Sequence, residues 1–272
     1  MVRRLATNQN GNKLSWLERL TDRLVLKPTT HSIDPGSQIR QMIPCGQDQI
    51  EAWTTRINVP AAEHNIVVVK FIGNGGRAER STAQPASLWE NIHSEIWTIN
   101  PFGYGGSSGP ATLQRFPEMV DAVYDHIRTR FPGFKLVVFG NSIGTVSALR
   151  LAAKYHVDGL CIRNPVPIHQ LISQRPKYAV PSLSLSSLVA KRIPQSLNAV
   201  QNAQQVNAPA LFVTLTDDTM IPRRFQAKVI NAFAGEKKLF SVPWNHNDPI
   251  PEEFHDQYRT AANWLLQKVI QQ

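Results

Sequence analysis

The sequence predicts an α/β fold in which a mostly parallel central sheet is flanked by helices. Short apolar runs rich in Val and Ile alternate with segments of helical periodicity, as in βαβ units that build a parallel sheet covered on both faces. The chain has 272 residues, 42% of them hydrophobic and 18% charged, which is ordinary for a globular protein with a sizeable core. One α/β domain therefore accounts for most of the chain.

The predicted strands are separated by segments that read as loops or helices. In chain order the strands are Asp48–Asn58, Asn65–Ile72, Glu95–Asn100, Lys135–Phe139, Val157–Arg163, Pro209–Leu215 and Lys238–Val242. Helices are predicted over Gln114–Arg130, from Ile143 onwards, and over about Pro251–Val269. The long irregular stretch at residues 165–208 contains several prolines and is expected to form a short cap-like insertion over the carboxyl edge of the sheet.

An N-terminal extension, residues 1–47, is expected to precede the α/β domain of residues 48–272. It includes an amphipathic helix at residues 14–26, and residues 27–36 read as a linker rich in Pro and Gly. Packing of this helix on its own domain is the favoured interpretation, and contact with a membrane surface is the alternative, because Arg19 and Arg23 lie off the apolar stripe. The stripe consists of Leu14, Leu17, Leu20 and Leu24.

Composition excludes several classes of function. The net charge is +9, but Lys and Arg are scattered and no basic motif interleaved with aromatic residues appears, so no nucleic-acid partner is expected. Cys45 and Cys161 lie in unrelated segments without a C-x-x-C pattern, which argues against a disulfide framework and a cysteine metal site. Neither a metal nor an organic cofactor is predicted. The basic N-terminus has no apolar run behind it, so a cytoplasmic protein is expected, with a membrane-peripheral one as the alternative.

Two segments fit the G-x-S-x-G pattern of a nucleophile elbow, in which a serine sits on a sharp turn from a strand to a helix. Gly140–Gly144 follows a short apolar strand and precedes a helical pattern, as the elbow requires. Gly105–Gly109 lies between Pro101 and Pro110 in a loop composition without a helix start. Context therefore selects Ser142 as the candidate nucleophile.

A serine hydroxyl needs a general base, and the base needs an acid that orients it. On such an elbow the acid and then the base are expected on loops after later strands, which leaves His169, His246 and His255 as candidate bases. Only His246 follows a predicted strand directly, so it is the favoured base. Asp217 and Asp218 both follow the strand Pro209–Leu215, and position alone leaves the choice of the acid open.

These motifs, taken in order, resemble the α/β-hydrolase fold superfamily and, within it, the serine hydrolases of the esterase, lipase and peptidase-like type. The resemblance covers residues 48–270 and consists of "FIGNGG", "NPFGYGGSSG", "GNSIG", "DTMIP" and "HND". The acid turn of the family, D-x-x-I/V-P, matches Asp218 rather than Asp217. Three positions depart from the family pattern, because Ile72 stands where His is usual, and Asn100 and Phe102 stand for Asp and Arg.

The resemblance implies acyl transfer through a covalent acyl-enzyme. Ser142 would attack a carbonyl, His246 would take its proton, and Asp218 would orient the imidazole. The backbone N–H groups of Ile143 and Asn74 would hold the oxyanion.

The expected substrate is a small-molecule acyl compound: an ester, or a thioester or amide. Two alternatives remain at this point, a catalytically silent interaction module and an acyltransferase or lyase that uses the same triad. Three aromatic residues are candidates either for pocket walls or for core packing: Phe102, Tyr104 and Trp244.

Overall fold

The computed structural model describes residues 13–60, 62–174, 183–246 and 249–272. Its centre is an eight-stranded sheet with the order β1-β2-β4-β3-β5-β6-β7-β8. Strand β2 runs antiparallel to both of its neighbours, and β3 to β8 are paired in parallel. The strands are β1 Ile39–Cys45, β2 Asp48–Ile57, β3 His64–Phe71, β4 Ile92–Asn100, β5 Lys135–Asn141, β6 Gly159–Arg163, β7 Ala210–Leu215 and β8 Lys237–Val242.

Helices cover both faces of the sheet, and two apolar clusters lie between the layers. The central strands are buried on both faces, which explains why β3, β5 and β7 read as continuous apolar runs instead of alternating patterns. The predicted mostly parallel sheet with flanking helices is confirmed. The helices are α1 Trp16–Val25, α2 Phe116–Arg130, α3 Gly144–Lys154, α4 Ile168–Gln174, α5 Leu183–Ala190, α6 Ala199–Ala203, α7 Arg223–Ala232 and α8 His255–Ile270.

Strand β1 was not predicted from the sequence. It pairs antiparallel with β2, so the sheet begins before residue 48, inside the segment expected to be an extension. Its sequence, IRQMIPC, lacks regular alternation and contains Pro44, which is compatible with an edge strand but weakens any strand pattern. The region expected as a cap contains α4, α5 and α6, and its residues 175–182 lie outside the described residues.

Helix α1 packs on the domain. It begins with a capping box between Ser15 and Glu18 and buries Leu17, Thr21 and Asp22. Thr21 Oγ1 donates to the Val189 carbonyl of α5 at 3.4 Å. Within the described residues, no helix combines the length and the apolar character needed to cross a bilayer.

The segment after α1 is tied to the loop that follows β3. Asn74 Nδ2 donates to the Val25 carbonyl at 2.5 Å, and Asn74 Oδ1 accepts from the Lys27 backbone N–H at 2.7 Å. Tyr104 donates its hydroxyl to the same Asn74 oxygen at 3.0 Å. These bonds hold the end of α1 against the loop at residues 73–76.

Two of the three departures from the family pattern have local structural reasons. Asn100 is fully buried between two carboxylates, and its Nδ2 donates to Glu51 Oε2 at 2.7 Å and to Glu79 Oε2 at 3.0 Å. An Asp at this position would place a third carboxylate against two others. Phe102 is also fully buried, and the Arg115 guanidinium lies 3.8 Å from the centre of its ring.

Asp22 should make the stability of the fold depend on pH. Its Oδ1 accepts from the Leu113 backbone N–H at 2.9 Å, yet burial raises its pKa to about 6. Because the folded state favours the protonated acid, the contribution of Asp22 to stability is largest below its unfolded pKa and is lost as the pH rises through about 6. Asp22→Asn keeps the acceptor and removes the buried charge, so it should raise the free energy of unfolding by about 1–3 kcal/mol at neutral pH.

Denaturant unfolding at neutral pH and below pH 4 tests this expectation, because the gain should disappear in acid. The control is Asp125→Asn, which changes an exposed carboxylate and should have little effect. Equal stability of wild type and Asp22→Asn at neutral pH would show that the carboxylate carries no burial cost.

Candidate active site

Ser142 stands on a tight turn between β5 and α3. Its φ is 52°, one of three positive values at non-glycine residues in the described chain. This left-handed backbone costs free energy for a residue with a side chain and is a recurring feature of functional sites. The turn is closed because the Thr145 backbone N–H donates to the Ser142 carbonyl at 2.9 Å.

The two glycines of the pentad allow the turn to pack. A Cβ on Gly144 would lie 2.2 Å from the Phe71 carbonyl oxygen of β3, and one on Gly140 would lie 2.8 Å from the Cα of Thr145. Both distances are below any normal contact. The absence of side chains at these positions therefore lets α3 start directly against the ends of two strands.

Three polar side chains from different strand ends form a continuous hydrogen-bond chain. His246 Nε2 lies 3.0 Å from Ser142 Oγ, and His246 Nδ1 lies 2.6 Å from Asp218 Oδ2. The second oxygen of Asp218 accepts from the backbone N–H groups of Met220 and Ile221, each at 2.8 Å. The carboxylate is thus oriented by two donors on one oxygen and by the imidazole on the other.

Asn245 fixes the loop that carries His246. Its side-chain oxygen accepts from the His246 backbone N–H at 2.7 Å and from the Thr219 backbone N–H at 3.3 Å. Asn164 Nδ2 donates to the His246 carbonyl at 3.4 Å from the end of β6. The loop after β7 that carries Asp218 (the acid loop) and the loop after β8 that carries His246 (the histidine loop) are therefore joined by hydrogen bonds beside the site.

The structure separates these residues from the other sequence candidates. Asp217 is exposed and accepts from the Thr216 hydroxyl. His169 contacts the Ile193 carbonyl at 3.3 Å, and His255 contacts the Ile250 carbonyl at 2.9 Å. Among the residues that the structure describes, neither histidine contacts a serine or a carboxylate.

The second G-x-S-x-G match serves a structural purpose. Ser107 Oγ donates to the Asn100 carbonyl at 2.7 Å and accepts from the Glu51 backbone N–H at 2.8 Å. Ser108 Oγ donates to Asp48 Oδ1 at 2.9 Å. Both hydroxyls hold the glycine-rich loop against β2 and are not associated with a base.

The two predicted oxyanion donors lie next to Ser142. Ile143 is the residue at which α3 begins, and Asn74 follows Gly73, where an added Cβ would be only 3.5 Å from Ser142 Cβ. Among the described residues, no hydrogen bond occupies the backbone N–H of Asn74 or of Ile143. Both donors are therefore available to a ligand at the serine.

Ser142 lies between two cavities of opposite character. An apolar cavity of about 80 Å³ is lined by Ile143 and by side chains from α1, from α4 with its preceding loop, and from the acid loop: Leu24, Val25, Val166, Ile168, Leu171, Ile172, Met220 and Ile221. A more polar cavity of about 340 Å³ contains His246, Lys27, Asn141 and the Gly73–Gly76 backbone.

The lining of these cavities was not found by sequence reasoning. Phe102 and Tyr104 are core residues, and Trp244 belongs to neither cavity. Leu24 was seen only as part of a helical stripe, because nothing in the local pattern shows that α1 lies across the carboxyl edge of the sheet. The spacing of residues within α4 also did not predict that this helix lines a cavity.

The described residues contain two free cysteines and no cluster of metal ligands. Cys45 and Cys161 are buried free thiols, and burial raises the pKa of each to about 12, so neither is a thiolate at neutral pH. Within the same described ranges, no cluster of three or more His, Cys, Asp or Glu residues could hold a metal ion.

Comparisons with known proteins agree with this architecture. A family model described as alpha/beta hydrolase fold matches residues 73–186. Alpha/beta hydrolase domain-containing protein 17B of Xenopus laevis is 26% identical over 135 residues, which are 44% of this chain and 46% of that protein. An uncharacterized membrane protein of Saccharomyces cerevisiae is 28% identical over 173 residues, which are 61% of this chain and 58% of that protein. The chain thus spans about half the length of the curated relatives it matches.

A solved structure extends the likeness to nearly the whole fold. An esterase of Pyrococcus furiosus, Pf2001, matches with a TM-score of 0.66 at 12% identity, covering 90% of this chain and 98% of that one. At this identity the likeness concerns the fold. The strand order, the family match and this likeness confirm the fold indicated by the sequence motifs. The chain therefore has the α/β-hydrolase fold.

Proposed function

We propose that this protein is a serine hydrolase that cleaves an ester or thioester through a covalent acyl-enzyme. The observation that carries the proposal is the hydrogen-bond chain Ser142–His246–Asp218, with distances of 3.0 and 2.6 Å, on a serine held at positive φ. A hydroxyl in contact with a neutral imidazole whose other nitrogen is bound to a buried carboxylate is the arrangement that activates serine for acyl transfer.

The reaction follows from these contacts. Ser142 Oγ attacks the carbonyl carbon while His246 Nε2 takes its proton, and the imidazolium so formed is stabilised by Asp218. The carbonyl oxygen becomes an oxyanion held by the N–H groups of Ile143 and Asn74. The imidazolium then protonates the leaving group, and a water activated by the same nitrogen releases the acid from the acyl-enzyme.

The two cavities suit different parts of the substrate, and this difference orients the substrate at Ser142. The apolar cavity suits the acyl group, because its side-chain walls are almost entirely apolar. The polar cavity contains His246, so it suits the leaving group, which must receive a proton from Nε2, and later the attacking water. An ester or thioester with an apolar acyl group fits both requirements.

Covalent labelling tests the nucleophile. Wild-type protein should react with a fluorophosphonate probe, and Ser142→Ala should abolish labelling, because loss of the nucleophile in triad enzymes costs on the order of 10⁶ in kcat. Mass spectrometry should locate the probe in the tryptic peptide of residues 136–150. Ser107→Ala is the matched control and should label at the same site. A probe attached within residues 81–115, or no labelling of folded wild type, would contradict the proposal, and the latter would favour a silent module.

A pair of adjacent aspartates tests the acid. Asp218→Asn should lower kcat by about 10⁴ at neutral pH, because an amide stabilises the wrong imidazole tautomer and no imidazolium. Asp217→Asn changes an exposed neighbour and should stay within about twofold of wild type. Equal losses in the two variants would remove Asp218 from the mechanism.

Acyl chain length tests the direction of the substrate. Each methylene buried in the apolar cavity should raise kcat/KM about fourfold, corresponding to about 0.8 kcal/mol, until the cavity is full. Leu24→Ser makes one wall polar and should lower the ratio of butyrate to acetate ester hydrolysis. Leu239→Ser changes an exposed leucine of β8 outside both cavities and should leave the ratio unchanged. A ratio insensitive to Leu24→Ser would place the acyl group elsewhere.

A further inference from the structure

Exposed apolar side chains are concentrated around the candidate active site. Seven large hydrophobic side chains are exposed in the described chain, and five of them lie on segments that line the Ser142 cavities or on α5, which packs against two of those segments. Leu24 and Met220 line the apolar cavity itself, and Trp244 is two residues before His246. The other two are Trp16 on α1 and Leu188 on α5, and these helices pack against each other.

The outer face of α1 combines aromatic and cationic side chains. Trp16, Arg19 and Arg23 follow the spacing i, i+3, i+7, so they project from one side of the helix. Trp16 is 63% exposed, and both arginines are exposed as well. This side is opposite the one that buries Leu17 and Asp22, so packing on the domain leaves it free.

This face carries two exposed arginines, whereas the two carboxylates of α1 belong to the capping box and to the buried side of the helix. Glu18 accepts from the Ser15 backbone N–H and hydroxyl, both at 2.7 Å, and Asp22 is buried against the Leu113 backbone. Arg19 and Arg23 also border a surface cavity of about 320 Å³ whose other walls are largely apolar. Further exposed cations lie at both ends of α1 and directly after α5: Lys13, Lys27, Lys191 and Arg192.

We propose that this face, comprising the outer side of α1 with Leu188 and Met220, docks the protein on an anionic phospholipid surface. Trp16 lies at the level of the headgroups, where an indole can keep its N–H wet and its ring in an apolar layer. Arg19 and Arg23 pair with lipid phosphates, which guanidinium groups recognise through several parallel hydrogen bonds. The mouth of the apolar cavity then faces the lipid.

A lipid surface fits better than a soluble acidic protein because the apolar and the basic groups are interleaved on one helix. An amphipathic helix of this kind lies in the plane of the interface, with electrostatic attraction added to apolar burial. Docking does not require Ser142 to be catalytic. It is therefore testable on the Ser142→Ala protein, in which no lipid can be hydrolysed and failure of the docking is distinct from failure of the proposed hydrolase.

Flotation of full-length Ser142→Ala protein with unilamellar vesicles tests the proposal. Binding should be strong to phosphatidylcholine vesicles containing phosphatidylserine, weak to pure phosphatidylcholine, and reduced by salt. Arg19→Gln with Arg23→Gln should lower the partition coefficient about 25-fold, since each charge near such a surface contributes roughly fivefold. Trp16→Ser should lower binding to both kinds of vesicle.

The matched control replaces two cations at the other end of the sheet. Arg130 and Lys268 lie in the last turns of α2 and α8, so Arg130→Gln with Lys268→Gln removes the same charge from the opposite end of the molecule. It should bind within about twofold of the parent. Equal weakening by both double variants would show general attraction by net charge and overturn the proposal, as would failure of the parent to float.

Inorganic phosphate distinguishes a lipid surface from a simple anion site. Docking predicts that phosphate, at the ionic strength of a chloride control, displaces the protein from vesicles no better than chloride does. Specific displacement by phosphate would mean that Arg19 and Arg23 hold a free anion, and the membrane proposal would be wrong. Circular dichroism of each variant must match the parent, so that a loss of binding reports the surface and not unfolding.

Discussion

The close approach of α3 to the carboxyl ends of β3 and β5 is the constraint on which the rest of the site depends. Gly144 packs against the carbonyl of Phe71, and Gly140 packs against the first turn of the helix. This contact holds Ser142 at positive φ and brings its side chain out of the sheet edge. It also brings the loop of Gly73 and Asn74 within van der Waals distance, so the same packing contact positions Ser142 and the backbone N–H groups of Ile143 and Asn74.

The parallel order of the strands brings the remaining polar groups of the site together. Since β5, β6, β7 and β8 are neighbours with the same direction, the loops after them meet at one edge. Ser142, Asn164, Asp218 and His246 follow these four strands in turn. Asn245 and Asn164 hold the histidine loop with amide hydrogen bonds. The buried side chain of Asp218 accepts from two backbone N–H donors on the oxygen that does not contact the imidazole, so both of its oxygens have hydrogen-bond partners.

Helix α1 and the residues directly after it shape both the site and the surface around it. Asn74 ties the end of α1 to the loop at residues 73–76, and Leu24 and Val25 thereby become walls of the apolar cavity. The same helix turns Trp16 and two arginines outward. Its position therefore connects three properties of the molecule, namely the geometry of the loop, the shape of the cavity and the chemistry of the surface around the mouth.

The sequence by itself determined the fold class and most of the sheet, and it predicted three polar residues, Ser142, Asp218 and His246, that the structure brings into hydrogen-bond contact. Buried parallel strands are continuous apolar runs, and an elbow needs small residues at fixed spacing around its serine, so both leave a local signature. Asp218 is distinguished from Asp217 by the turn that follows it, which is also local in sequence.

Only the tertiary structure decided the rest. Strand β1 is defined by its pairing with β2, because its own residues, with Pro44 among them, carry no clear strand pattern. The role of Leu24 depends on contacts between residues more than a hundred positions apart. Helical spacing cannot show which part of the protein an apolar stripe will pack against. The same limit applies to Asn100, whose amide is explained only when Glu51 and Glu79 are seen on either side of it. Periodicity reports which face of an element is buried, and only packing determines what it is buried against.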